Sequence, residues 1–377
     1  MRIAVDGRYM KDHYPGVGRY AYSLAQALAM AAPSDHLVVL YDPGAPNTRF
    51  DLARLAGCAN VTLLSAPYGP MGLRQHLAVS RLVRREGCSV FLAPHWSAPR
   101  GLPCPLVVTI HDLTPWVLPE GGGPSWRRWL YRCMVRGVLR RAAEVNVSSR
   151  ATERDLQRLI ERTPAMTVVP LGVDAAFHPR DAAAWGPVLA RWGVRRPYVL
   201  CVSSNRPHKN LGRLVRAWAS LPADRRAAWQ LVLAGPVDPR WEDPQEMARG
   251  LGVEACVRRL GAVSDPDLAA LYAGADVCVV PSLYEGFGLP ALEAMASGVA
   301  VAASDRAALP EVVADAGALF DPTAEEAMGG ALATLMDDAA LRERLGAAGR
   351  QRAAAYTWGR TAALVREVLE RAARGAR

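Results

Sequence analysis

Short apolar runs rich in β-branched residues alternate with helix-length stretches along this chain, and that alternation restricts the fold more than any other feature. Arg2-Ile-Ala-Val-Asp6, Leu37-Val-Val-Leu40, Leu106-Val-Val-Thr-Ile110 and Asp276-Val-Cys-Val-Val280 each have the length of one strand and are apolar at consecutive positions. A strand with one wet face alternates apolar and polar residues. A strand apolar throughout is covered on both faces, the condition of a parallel sheet wrapped by helices. Strands are expected at 2–7, 36–42, 61–67, 89–94, 105–112 and 144–149, with helices at 18–30, 72–86 and 124–143. A short strand and turn follow at 168–174, and 174–197 reads as loop and linker. A second set of strands is expected at 198–203, 229–235, 257–263, 276–280 and 299–304, with helices at 210–220, 265–274 and 289–297. With 377 residues, two domains are the default. The expectation is an α/β protein with two doubly wound parallel sheets, bounded at 1–180 and 181–357, and a charged helix at 358–377.

Composition narrows the setting. With 51% hydrophobic and 21% charged residues the chain can bury two cores. Its seven cysteines are scattered, odd in number and without C-x-x-C spacing, so free thiols of a reducing compartment are expected. Met1-Arg2-Ile-Ala-Val5 runs into a strand pattern without a secretory signal, and no apolar run reaches about 18 residues. A cytoplasmic protein is expected. Residues 1–185 hold 22 basic and 14 acidic side chains, so +8 of the net +9 lies in the first half. No nucleic-acid-binding motif accompanies that excess. Trp126 to Arg141 interleaves arginines and aromatics on one expected helix, and Arg74, Arg81, Arg84 and Arg85 add to it. Peripheral contact with the anionic inner face of a membrane is one reading, a surface helix with snorkelling arginines the other.

Chemistry concentrates in Pro281-Ser-Leu-Tyr-Glu-Gly-Phe-Gly-Leu-Pro-Ala-Leu-Glu-Ala-Met-Ala-Ser-Gly298, a strand exit, a glycine loop and a helix in succession. Gly286 and Gly288 break regular structure, Pro290 suits a first helical turn, and Gly298 ends the helix. Free amides around Phe287, Gly288 and Leu289, with the helix dipole, can hold a phosphate. Glu293 beside them can accept hydrogen bonds from ribose hydroxyls, and Glu285 from a sugar next to the phosphate. Either glutamate alone is equally well read as solvated.

The whole string resembles the E-x7-E signature of the family 4 retaining glycosyltransferases, and the resemblance covers nearly the whole chain. It implies the GT-B fold, two Rossmann-like domains facing across a cleft, with the acceptor bound mainly by the first and the nucleotide-sugar donor mainly by the second. It also implies that the final helix crosses back to the first domain, that domain closure completes the site, and that no metal is needed.

The other candidates follow strands, where ligands of open α/β sheets bind. Ser203-Ser-Asn-Arg-Pro-His-Lys-Asn210 brings Arg206 and Lys209 to a helix start, a plausible diphosphate clamp or a solvated pair. Lysines occur only at 11 and 209 among 45 basic residues, which favours a specific need for Lys209. Many family members place an arginine immediately before this lysine. His208 stands there instead, which weakens the assignment of Arg206. Gly16-Val-Gly18-Arg19 opens a helix after the first strand and is similar to the family's first-domain glycine loop, near the donor phosphates and acceptor; a plain helix start is the alternative. Gly235 is read as letting the chain pass close to a ligand. Val263 resembles the position whose backbone reads the nucleobase edge. Tyr284 and Phe287 pack near the base or fill core, core being preferred for Phe287. His95 and His111 each follow a strand, and Thr109-Ile-His-Asp-Leu113 resembles the family's first-domain active-site histidine. His111 is therefore the expected catalytic histidine and His95 a shaping residue. Asp112 is read as orienting a loop, and Ser148-Ser149 as capping a helix.

The sequence has no D-x-D motif and no His/Cys/Asp spacing typical of metal ligands, so neither metal nor cofactor is expected. The expected activity is retaining, metal-independent sugar transfer from a nucleotide diphosphate to an acceptor hydroxyl. Lys209 and Arg206 would hold the diphosphate, Glu293 the ribose, and Glu285 and His111 the sugar. The Asn205-Arg-Pro-His-Lys-Asn210 and Thr109–Leu113 strings look most like bacterial mannosyl or rhamnosyl transferases, so GDP-mannose is favoured as donor, with a carbohydrate or lipid-linked acceptor and no nucleic acid. An epimerase or phosphorylase on the same fold is the alternative, as is a non-catalytic nucleotide-sugar-binding subunit.

Overall fold

The computed structural model describes residues 1–118, 125–160 and 163–375. They form two compact units. The first comprises Met1–Trp116, Pro124–Gly172 and Thr357–Arg377, the second Val173–Tyr356 with Val117 and Leu118.

In the first unit the strands are β1 Arg2–Asp6, β2 His36–Tyr41, β3 Val61–Ser65, β4 Val90–Ala93, β5 Leu106–Ile110, β6 Ala142–Val147 and β7 Met166–Val168. They pair parallel throughout, in the order β3-β2-β1-β4-β5-β6-β7. The helices are α1 Pro15–Ala31, α2 Leu52–Ala56, α3 Gln75–Arg85, α4 Thr114–Val117, α5 Ser125–Leu139 and α6 Arg150–Leu159. In the second unit a six-stranded parallel sheet runs β10-β9-β8-β11-β12-β13. Its strands are β8 Tyr198–Val202, β9 Gln230–Ala234, β10 Val257–Gly261, β11 Val277–Val280, β12 Ala300–Ser304 and β13 Ala318–Phe320. Its helices are α7 Ala182–Trp192, α8 Leu211–Ala219, α9 Ala223–Ala228, α10 Pro244–Gly250, α11 Asp265–Gly274, α12 Leu289–Ala296, α13 Leu309–Val313, α14 Glu325–Asp337 and α15 Ala339–Ala353. The chain ends in α16 Trp358–Arg374, which packs along α1 and over β4, β5 and β6 of the first unit.

Both sheets are doubly wound. The continuous apolar runs are buried on both faces in β1, β4, β5, β9, β11 and β12. The edge strand β10 carries exposed Arg258 and Arg259 instead. In each sheet the order of strands reverses once, between β1 and β4 and between β8 and β11. In sheets of this kind ligands bind beside such a reversal, at the carboxyl ends of the strands.

Several expectations are corrected. The 174–197 stretch is not all loop: α7 lies within it. Gly186 and Pro187 look like breakers, but Trp185 and Leu189, one turn apart, pack on Gly274 of α11, and Trp192 Nε1 donates to Asp267 Oδ2 at 3.0 Å. Strand β7 ends at Val168, where the 168–174 run was expected to begin. The helix expected at 124–143 ends at Leu139, because β6 starts at Ala142; its expected first residue and the last two residues of the final helix lie outside the described residues. Helix α1 starts three residues earlier than expected, with proline at its first position, so Gly16 and Gly18 sit inside its first turns.

Candidate active site

The second unit assembles its polar residues at the β8/β11 switch. After β8 the chain runs through Ser203–Arg206 into a 3-10 turn, Pro207–Lys209, then through Asn210 in a left-handed conformation (φ 63°) into α8. After β11 it runs through Pro281–Phe287 to Gly288, also left-handed (φ 108°), and into α12. The two loops are laced together. Leu283 N donates to His208 O at 2.8 Å. Asn210 Nδ2 donates to Pro281 O at 2.9 Å and to Pro322 O at 2.8 Å.

That lacing brings together two of the expected residues, 76 positions apart: Lys209 Nζ lies 2.6 Å from Glu285 Oε1. Ser282 Oγ donates to the same oxygen at 2.7 Å. Among the described residues Oε2 has no hydrogen-bond partner, so one carboxylate oxygen is anchored and the other is available to a ligand. Lys209 uses one of three donors on Glu285 and keeps two. Gly288 offers no side-chain cap to α12; Pro290 has no N–H and Ala291 N already donates to Gly288 O at 3.1 Å, which leaves the Leu289 amide at the helix start to an external acceptor. A cation, an uncapped helix start and a half-anchored carboxylate on adjacent loops suit a phosphate ester that carries hydroxyls.

The other expected residues fall as follows. Glu293 is buried, 6% exposed, in α12. It lies beside Tyr272, whose hydroxyl is pushed well above its ordinary range by burial and then by the Glu293 charge. Arg206 is exposed at the start of the 3-10 turn. The Asp238 carboxyl is held down to about 2, chiefly by hydrogen bonds from Arg240, with Arg206 a smaller contributor. Gly286, Phe287 and Tyr284 are buried, and Phe287 packs edge-on to Tyr356 at 5.9 Å. Leu289 opens α12. Val263 is buried two residues after β10, just before Ser264 caps α11.

Two of the expected glycines are also required by packing within the fold. A Cβ on Gly235 (φ 144°) would stand 2.1 Å from Ser203 O, so Gly235 lets β9 exit against the backbone after β8. A Cβ on Gly18 would meet Tyr9 O at 2.6 Å and the Phe50 ring at 2.7 Å, a packing requirement of α1. Gly16 has open space around it.

Sequence reasoning missed two asparagines. Asn210 is the latch described above. Asn205 donates to the carbonyls of Asp238, Trp241 and Glu242 at 3.0–3.3 Å and accepts from Asp238 N at 2.7 Å, pinning that loop beside the β8 exit. Their only advance signal is position, polar residues within seven positions of a strand's carboxyl end.

In the first unit, His111 follows β5. Its Nε2 donates to Pro94 O at 2.9 Å, and its ring meets Tyr20 edge-on at 4.5 Å. Burial lowers its pKa, so the neutral ring carries its proton on Nε2 and presents Nδ1 as an acceptor. Ser148 Oγ and Thr152 Oγ1 donate to His111 O, fixing its backbone, while Ser149 caps α6. Asp112 Oδ1 accepts from Thr114 N at 2.9 Å and orients the start of α4. His95 is pushed down to about 3 by burial, with the His111 charge second.

The His95 shift predicts acid sensitivity. The unfolded chain binds this proton below about pH 6.5, whereas the folded chain refuses it until about pH 3. Stability therefore falls as pH drops through that window, by about 1.4 kcal/mol per unit from this residue. Urea unfolding at pH 7 and pH 5 checks it: the wild type loses about 2 kcal/mol more than His95→Asn over that interval. Equal losses would contradict it.

Among the described residues no group of three or more His, Cys, Asp or Glu is placed to hold a metal ion.

Comparison with known proteins decides the family. The Glycosyltransferase Family 4 pattern matches residues 14–177, and the Glycosyl transferases group 1 pattern matches 191–352. The O-antigen chain mannosyltransferase B of Escherichia coli is 30% identical over 374 residues, covering 95% of this chain and 96% of that one. The chain is a glycosyltransferase of family 4. An MMP alpha-(1->4)-mannosyltransferase of Mycolicibacterium hassiacum is 35% identical over 282 residues, 71% of this glycosyltransferase and 66% of its relative. Sucrose-phosphate synthase of Thermosynechococcus elongatus shares the fold, with a TM-score of 0.78 at 24% identity over 98% of both chains. This glycosyltransferase thus has the GT-B architecture of two Rossmann-like units.

Proposed function

We propose that this glycosyltransferase moves a sugar from a nucleotide diphosphate donor to an acceptor hydroxyl with retention of anomeric configuration. The observation that carries this reading is the Lys209–Glu285 pair beside the uncapped start of α12. Lys209 and the uncapped helix start meet the charge of the departing diphosphate, a role that needs no metal ion. Arg206 adds a second, exposed cation, and Glu293 serves the ribose hydroxyls. Glu285 Oε2 accepts a hydroxyl of the transferred sugar. His111, neutral, offers Nδ1 to a sugar hydroxyl. Val263, Gly286, Phe287, Gly288 and Leu289 shape the donor site. The names of the two mannosyltransferase relatives support mannose as the sugar; GDP-mannose is the donor in this reading, with a carbohydrate or lipid-linked acceptor in polysaccharide synthesis.

The test is transfer from GDP-α-mannose in excess EDTA, followed by proton NMR of the product. An α-linked product formed at an undiminished rate supports the proposal. A β-linked product, or activity restored only by a divalent cation, overturns the retaining or metal-free part respectively.

A further inference from the structure

The first unit carries an exposed apolar and basic surface that holds none of the candidate site residues. The crossovers β3 to β4 and β5 to β6 run in the same direction across the sheet, so right-handed connections put α3 and α5 on one face. The 99–100 segment joins them: Ser80 Oγ of α3 donates to Arg100 O at 2.8 Å, and Arg141, just beyond α5, donates to Pro99 O at 2.8 Å.

Each helix buries one stripe, Val79 and Val83 on α3, Tyr131, Val135 and Val138 on α5. Each helix, with the turn before α3, also carries bulky apolar side chains outward. Leu73 and Leu77 are 85% and 69% exposed, Trp126 and Trp129 59% and 66%. Leu130 and Met134 extend the α5 stripe at helical spacing, and Met71 stands beside Leu73. Among the described residues ten large apolar side chains are exposed, and these are seven of them. The same helices carry three and four arginines and no acidic residue. Glu86, just past α3, is paired with Arg2 and Arg85. The Arg127 guanidinium lies over the Trp126 ring at 5.2 Å.

We propose that the α3/α5 face docks on an anionic lipid bilayer, with Leu73, Leu77, Trp126 and Trp129 entering the acyl boundary and the arginines meeting the headgroups. An interfacial surface needs both an apolar stripe and flanking cations, and this face has both. A second copy placed on it would set arginines against arginines. A nucleic acid would supply phosphates but no apolar layer for the two leucines.

Sedimentation of the full chain with phosphatidylcholine vesicles, with and without 30% phosphatidylglycerol, tests this in 0.1 M salt. The anionic vesicles should bind at least about tenfold more protein, and 0.5 M salt should remove most of that difference. Trp126→Ser/Trp129→Ser and Leu73→Ser/Leu77→Ser should each lower binding about tenfold with unchanged circular dichroism; being on separate segments, either pair suffices if the other fails to fold. Equal binding to both vesicles, undiminished binding by a folded variant, or no vesicle binding together with self-association or DNA binding lost in the variants would overturn the proposal.

Discussion

Lys209→Ala lowers kcat/KM for the nucleotide sugar by about a thousandfold while the fold survives. The lysine supplies a full positive charge to the oxygens that gain charge as the sugar leaves, and one such donor accounts for about 10²–10³ in rate in a water-poor site. Its own scaffold explains why no neighbour substitutes. Asn210 fixes the turn that carries it, and Glu285 holds its ammonium at 2.6 Å. In the variant Glu285 keeps the Ser282 hydroxyl, so the loss to stability is about 1 kcal/mol. Lys209→Arg retains the charge but not the compact ammonium, and recovers only part of the activity. Steady-state kinetics with circular dichroism as control checks both. A Lys209→Ala enzyme within tenfold of wild type would remove the lysine from the chemistry.

Glu285→Gln produces the second large effect, of a different kind. The amide keeps the shape of the side chain but weakens the hydrogen bond accepted from the sugar, and it frees Lys209 from its counter-ion. Turnover falls by about 10²–10³ while affinity for the free nucleoside diphosphate is kept or improved. Lys209→Ala, in contrast, weakens nucleotide binding and turnover together. Calorimetry with the nucleotide and kinetics with its sugar separate the two. If Glu285→Gln loses nucleotide affinity and turnover alike, Glu285 supports the loop and does not address the sugar.

These two residues show how far the sequence carries. Both were legible as site candidates because each follows an apolar strand run and precedes a helix. Their contact was not, since it depends on β8 and β11 being neighbours at the point where the strand order reverses. The strands were legible because parallel-sheet burial forces continuous β-branched runs. Helix α7 was not, because Gly186 and Pro187 argue locally against a helix that packing on α11 holds. The backbone neighbour of Gly235 was not legible, since the approach of Ser203 follows only once β8 and β9 are paired. Asn205 and Asn210 went unnoticed because their partners lie 33 to 112 residues away. Glu293 was expected beside ribose hydroxyls, and its burial next to Tyr272 comes from the α11 to α12 packing.

The most direct test of the account is whether the Lys209 site binds a nucleoside diphosphate. Thermal unfolding of the full chain would be followed in EDTA with GDP, UDP, ADP or dTDP. At a hundred times its dissociation constant a ligand adds about 2.7 kcal/mol, a shift of several degrees for a domain of this size. The account predicts such a shift with one nucleotide, GDP favoured, and its loss in Lys209→Ala. No shift with any of the four, or a shift that Lys209→Ala leaves intact, would contradict it.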